Sequence, residues 1–345
     1  MNKLYLYIAL LGSVFFLFGC NDEWEDELYE QMVSLKAPIG NDNVNVIYLR
    51  YNPQGEVTYK LPVIVSGSRT NNKDYNVRID VDNDTLAILN REIYADRSDL
   101  YYLQLPASFY EFPSQTCRVS SGTNVELFDV KFKFAGLDLV EKWVLPLTIM
   151  PDPSYELNAY NGRQKALLWV RPFNDYSGSY SATSMYVYFG NNTTSYMTAN
   201  TRTALVVDDN TIFFYAGITE ELTMSRGDYK VKCKFLAPTE VTELVDPNTG
   251  EKTGLYEKKG LLELSAENPR INFEVIGTPS YTISEELDID RPFVVRRTFT
   301  LTMQYRYQDY TSSSSMDFPY RCTGTMTMRR NVNTLVPDED QAILW

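Results

Sequence analysis

The chain has 345 residues, 44% of them hydrophobic and 14% aromatic, with 32 Lys and Arg against 45 Asp and Glu, a net charge of −13. That balance excludes a phosphate-neutralising nucleic-acid binder and fits a folded protein rather than a disordered chain. There is no histidine, so Ser-His-Asp or Cys-His nucleophiles, histidine-ligated zinc and a histidine general base are all excluded.

At the start, Asn2 and Lys3 precede an apolar run from Leu4 to Phe18, too short to span a bilayer comfortably and built like a secretory leader. The run ends Leu17-Phe18-Gly19-Cys20, which resembles a bacterial lipobox and implies cleavage at 1–19 and lipidation of Cys20. Acyl chains then hold the protein on a membrane without a spanning helix. The run Asn21-Asp22-Glu23-Trp24-Glu25-Asp26-Glu27 reads as a solvated acidic tether over 20–35. It also resembles the export signal of surface-exposed Bacteroidetes lipoproteins, which implies the outer membrane, facing the exterior.

Period-two alternation follows and helical periodicity is scarce, so the expected fold class is all-β. Val57, Tyr59, Leu61, Val63 and Val65 share one strand face, as do Tyr75, Val77, Ile79 and Val81, and Trp143, Leu145, Leu147 and Ile149. With candidates at 44–51, 100–112 and 125–134, the count is that of an immunoglobulin-like β-sandwich over 36–150. Pro151 and Pro153 cannot join a central ladder and set the expected domain boundary. From 155 to 345 hairpins recur, the clearest pairing Phe299, Leu301, Met303, Tyr305 and Tyr307 with Tyr320, Cys322, Gly324, Met326 and Met328. An antiparallel meander barrel or a lipocalin-like sandwich is expected there, because closure removes the edges a meander leaves.

Beyond Cys20, Cys117, Cys233 and Cys322 are odd in number and form no metal clip. A Cys233–Cys322 disulfide stays open beside buried free thiols. In Asp80-Val81-Asp82-Asn83-Asp84, a calcium loop would need Gly and Glu where Thr85 and Arg91 stand, so exposed carboxylates at a strand end are expected, and no metal or cofactor.

Two stretches carry a resemblance across nearly the whole mature chain. Leu100 to Tyr110 with Trp143-Val144-Leu145-Pro146-Leu147 resembles the N-terminal domain of many Bacteroidetes surface lipoproteins and of some secreted endo-glycosidases. Arg330-Asn331-Val332-Asn333-Thr334 through Ala342 resembles the terminal strand and tail of their barrel-like domain. The resemblance implies a SusE/SusF-like accessory lipoprotein of a polysaccharide-utilisation system, with a glycan ligand and SusC/SusD-like partners. It supplies no residue-level sugar site, so candidates come from chemistry: flat aromatic faces for sugar CH groups and nearby carboxylates or amides for hydroxyls.

The first candidate is the hairpin tip with Asp309, Tyr310, Asp317 and Phe318 around the run Ser312 to Ser315. The second is Tyr188, Asn191 and Tyr196, residues that also fit a plain hairpin turn. For an enzyme, Glu285-Glu286 and Asp288-Ile289-Asp290 are carboxylate pairs by composition only. The Asp-x-x-Asp-x-Asp-x-Glu signature of the endo-glycosidases sharing the first domain is absent. A non-catalytic glycan binder is the leading expectation, followed by a structural or adhesive protein using exposed strand edges, then a glycosidase built on Glu286.

Overall fold

A computed structural model of the chain describes residues 29–37, 44–53 and 55–337; the expected leader, Cys20 and the run Asn21–Glu27 lie outside these described residues. Strands dominate, and their alternation sets the layers. In Val57–Ser66 the side chains of Leu61, Val63 and Val65 are buried while Thr58 and Lys60 face water, as a pleated backbone with one covered face requires.

Two sheets form the first domain, with strands numbered in chain order. One runs β10 (Glu156–Leu157), β1 (Met32–Leu35), β3 (Val57–Ser66), β8 (Val125–Phe132) and β6 (Tyr110–Glu111). The other runs β2 (Val44–Arg50), β11 (Lys165–Phe173), β9 (Lys142–Ile149), β4 (Tyr75–Val81) and β7 (Thr116–Val119), with β5 (Tyr102–Gln104) beside β9. Their inner faces meet in one core: Val33, Leu61, Val63 and Phe128 against Val77, Ile79, Leu145, Leu147 and Leu168.

Four expectations change here. Met32–Leu35 is a buried strand rather than the end of a tether. The strand expected over 100–112 is broken into two short pieces and two 3-10 turns around Pro106. Thr85–Tyr94 is a helix, α1, whose Leu86 and Leu89 cover Val44, Val144 and Leu167 on the second sheet's outer face. The acid run before it is not merely exposed. Asp82 is buried and accepts from Lys165 Nζ at 2.8 Å, Thr85 Oγ1 at 2.7 Å and the Asp84 and Thr85 amides at 3.1 Å. It satisfies the first helical N–H, that of Thr85, and the amide of Asp84 just before the helix. The fourth change is the domain boundary. After Pro151 and Pro153 the chain adds β10 and β11 to the sandwich, β11 lying parallel to β2 and antiparallel to β9. The prolines mark a corner, and the crossing comes at 174–177.

The second domain is a closed antiparallel ring. Its order is β12 (Gly178–Phe189), β14 (Thr201–Asp208), β15 (Thr211–Tyr215), β16 (Lys230–Phe235), β18 (Lys252–Ala266), β20 (Ser280–Leu287), β21 (Val294–Asp309) and β22 (Phe318–Asn333), with β22 returning to β12. Short strands β13 (Met197–Thr198), β17 (Glu240–Val245) and β19 (Glu274–Val275) hang on β12, β18 and β21. Gly324 makes the closure possible: at φ +134° beside the bulge between Ser181 and Ser184, a Cβ would fall 2.0 Å from the Ser184 carbonyl oxygen. Tyr180, Phe214, Phe299, Leu301, Tyr305, Tyr307 and Met326 fill the interior. Eight strands enclose just enough room for side chains, so the lumen is core.

Asn174 stitches the linker to the barrel. Its Nδ2 donates to the Asp208 carbonyl at 2.7 Å, and its Oδ1 accepts from the Tyr176 and Ser177 amides at 3.0 and 2.8 Å. The Arg330 guanidinium donates to the carbonyls of Asn174, Asp175 and Ser177. Leu205, Val206, Phe213 and Tyr215 join the sandwich core, and buried Arg226 reaches across to the carbonyls of Asp99 and Val140 at 2.8 and 3.0 Å. Cys117, Cys233 and Cys322 are free and buried; burial pushes the thiols of Cys117 and Cys322 up to about 12.

The Asp82 cluster predicts a pH effect. Burial opposes its ionisation, but donors from Lys165, Thr85 and Asp84 outweigh that and hold it at about 2. A depressed carboxyl stabilises fully above its unfolded value near 4 and loses that contribution as pH falls through the folded one. Asp82→Asn is expected to cost about 1–2 kcal/mol at pH 7 and to lessen the stability lost between about pH 4 and 2, read from urea melts at both ends.

Candidate functional site

At one end of the barrel the strands stop at Phe189, Tyr215, Ala266 and Asp309, and the loops 190–200, 216–229, 267–279 and 310–317 cluster there. The register places Phe189 opposite Tyr320, and the Gly190 amide donates to the Pro319 carbonyl at 2.8 Å. The two candidate groups, far apart in the chain, are therefore neighbours.

They occupy the two sides of the same wall. On the rim, the Phe189 ring lies 6.1 Å from Phe318 and 5.7 Å from Tyr320, and Tyr320 stacks on Tyr307 at 5.4 Å. Phe189, the last strand aromatic before Gly190 in the second candidate stretch, is half exposed. On the outer wall, Tyr196 stands edge-on to Tyr186 at 4.6 Å and Tyr188 at 5.9 Å, and the Arg321 guanidinium lies 4.8 Å from the Tyr188 ring centre. The loop bearing Asn191 and Tyr196 is held by Asn192, whose Oδ1 accepts from the Thr194 and Ser195 amides at 2.9 and 3.0 Å. Tyr196 is 53% exposed and Asn191 is exposed.

Asp309 and Tyr310 are engaged differently. The Asp309 carboxylate accepts from Tyr229 Oη and Ser312 Oγ at 2.5 Å and from the Thr311 and Ser312 amides at 2.9 and 3.1 Å. Burial opposes its charge, but Ser312, Tyr229 and those amides outweigh it and hold the carboxyl below its ordinary value. It pins the loop. Half-buried Tyr310 packs 6.2 Å from Tyr229, has Arg270 over its ring at 4.0 Å and accepts from Asn268 Nδ2 at 3.0 Å. Both rather scaffold the tip than face solvent. Asp317 is exposed on the loop beside Met316 and half-buried Phe318.

The composition-based carboxylates are tied to arginines. Glu285 pairs with Arg297 at 2.9 Å, Glu286 with Arg296 at 2.9 Å, and Asp288 with Arg291 at 3.0 Å and Arg296 at 3.2 Å. The hydrogen bond from Arg291 holds the Asp288 carboxyl below its ordinary value against its burial, the opposite of what a general acid requires. Among the described residues no group of three or more His, Cys, Asp or Glu side chains is placed to hold a metal ion. No described helix is long and apolar enough to cross a membrane.

Comparison with known proteins fits this architecture. Residues 24–153 match a model described as a domain of unknown function, DUF4973, and residues 164–327 match one described as "-like, C-terminal". No curated protein matches the chain. A solved multidomain protein including DUF1735 from Bacteroides ovatus is 41% identical, with a TM-score of 0.77 over 91% of this chain and 100% of its own. The chain belongs to the family of these Bacteroides proteins. An auxiliary nutrient binding protein from Bacteroides thetaiotaomicron is 32% identical, with a TM-score of 0.74 over 90% of this chain and 100% of its own. A further Bacteroides ovatus protein of unknown function is 29% identical, with a TM-score of 0.77 over 90% of this chain and 96% of its own. Each of these structural matches spans both domains.

If Asp309 pins the tip, Asp309→Ala frees residues 310–317 while the ring stays closed. Faster hydrogen exchange confined to that loop, with a stability loss of about 1–3 kcal/mol from the unpaired Tyr229 hydroxyl and loop amides, is the expected result.

Proposed function

We propose that this protein binds oligosaccharides or polysaccharides without chemical turnover, as a SusE/SusF-like accessory of a SusC/SusD-like import system. One observation carries the reading: half-exposed Phe189 and Phe318 on the rim, and Tyr188 and Tyr196 on the outer side of the same wall, set two aromatic clusters at a barrel end whose own interior is filled. Such faces cover the CH side of a pyranose, and Asn191 and Asp317 stand beside them to orient hydroxyls. Strands hold Tyr188, Phe189 and Phe318, and the Asn192 hydrogen bonds brace the loop bearing Tyr196, so little ordering remains to be done on binding. A 32% identical relative carries the description auxiliary nutrient binding protein, which agrees with a nutrient ligand here. The absence of histidine and the arginine pairing of Glu285, Glu286 and Asp288 support a non-catalytic role.

In this reading lipid on Cys20 supplies location, the outer face of the outer membrane, and the short acidic segment sets the distance from the lipid surface. A second reading rests on β17, which pairs with β18 on one side only and shows Val241 and Val245 to solvent. An open edge of this kind pairs with strands of a protein partner.

A glycan array followed by calorimetry on the chain from Asn21 to Trp345 tests the proposal. A saccharide hit is expected, weakened about tenfold or roughly 1.4 kcal/mol by Tyr196→Ala or Phe318→Ala. A clean array, with a membrane protein co-purifying through β17, would replace the first reading by the second. Separately, Cys20→Ser is expected to release the protein from the membrane fraction, and retention there would refute the anchor.

A further inference from the structure

The outer wall that carries Tyr188 and Tyr196 continues onto a row that the glycan reading does not use. Across four neighbouring strands the register sets Tyr188 beside Arg321, Arg321 beside Arg306, and Arg306 beside Glu274. Two arginines therefore stand directly opposite each other on β21 and β22. Like charges in that relation destabilise a sheet, and among the described residues Arg321 has no carboxylate partner. Among the described residues its polar contact is with the Asn192 carbonyl at 3.4 Å, its Nε is buried without an acceptor, and its flat face lies over Tyr188. Arg306 meets Glu274 at 3.6 Å, with both side chains more than half exposed; exposed pairs of this kind contribute little and yield readily to a better partner. In a chain of net charge −13, this is a local positive row flanked by the edge-on tyrosines Tyr188 and Tyr196.

We propose that Arg321 and Arg306 form an anion subsite for an acidic sugar, a carboxylate or sulfate ester held by the guanidinium forks while the neighbouring ring lies against Tyr188 and Tyr196. This rests on the glycan reading above and narrows its ligand class. Strand spacing of about 4.8 Å puts the rows of Tyr188, Arg321 and Arg306 about 10 Å across, room for a disaccharide. Arginine suits the task because its planar fork meets carboxylate and sulfate oxygens in pairs and stacks on aromatic faces without losing its charge. The protein's overall negative charge repels a polyanion at long range, but salt confines that repulsion to about 8 Å at physiological ionic strength, leaving the local pair to decide binding. Outward of the row lie Gln304, Thr323, Thr302 and Thr325, hydroxyl and amide groups at the same strand spacing, which extend a polar track for further sugar units.

Calorimetry on the chain from Asn21 to Trp345 with oligogalacturonate, κ-carrageenan oligosaccharide, maltohexaose and cellohexaose tests the subsite. Binding of an acidic probe, weakened at least tenfold in Arg321→Gln and in Arg306→Gln and falling with added salt, supports it; the uronate and sulfate arms identify the anion. Because each substitution relieves a like-charge contact, neither variant should melt below the parent, so loss of binding is not loss of fold. Neutral probes bound with acidic ones ignored, or acidic binding unchanged in both variants, overturns the anion subsite and leaves the glycan reading standing. No binding by any probe, with Tyr196→Ala indistinguishable from the parent, overturns both.

Discussion

The return of β22 to β12 is the constraint on which the second domain depends. Without it the meander would end in two long edges, each a row of unpaired backbone groups. With it every strand of the ring has two neighbours, and the aromatic interior is sealed. The joint is demanding: a bulge in β12 and a residue without a Cβ at 324 must coincide. The same joint brings Phe189 beside Tyr320 and Tyr188 beside Arg321. The surface proposed to bind sugar is thus a product of closure rather than of either hairpin alone.

Cations hold the two domains to each other. Arg226 places a buried guanidinium on sandwich carbonyls, Lys230 meets Asp138 at 2.9 Å, and Arg330 caps the barrel's other end over the linker. Burying such groups costs several kcal/mol each unless their donors are used, and here several are directed to carbonyl oxygens. Charge in this molecule therefore helps fix the geometry of the junction between sandwich and barrel.

How far the sequence disclosed this depended on the kind of signal. Alternating faces such as Val57 to Val65 and Phe299 to Tyr307 stand in the structure as the pattern implied, because one covered face forces period two. The closed ring followed from a meander with no other way to hide its edges. Helix α1 is hidden by its brevity and by Asp82, which reads as one more surface acid until Lys165, distant in the sequence, is placed against it. Pro151 and Pro153 suggest a boundary because proline excludes a central strand, whereas in the structure they turn a corner before β10 and β11. At the candidate site, aromatic type was legible and neighbourhood was not. Arg306 and Arg321 become noticeable only through register across the closing seam, as does the closeness of Phe189 to Phe318, while Asp309, followed by Thr311 and Ser312, is a loop-pinning pattern that local chemistry reveals.

The missing histidine and the buried thiols have a consequence for how the molecule meets its surroundings. Between about pH 5 and 8 histidine is the side chain that ordinarily changes charge, with thiols next in line. This chain has none of the first, and two of its three described cysteines are displaced to about 12 with the third raised by the same burial. Its pattern of charge is therefore close to a fixed stencil across that range. Acidification of the medium leaves the stencil in place, and ionic strength, which sets how far each charge is felt, becomes the variable by which the environment tunes what the surface holds.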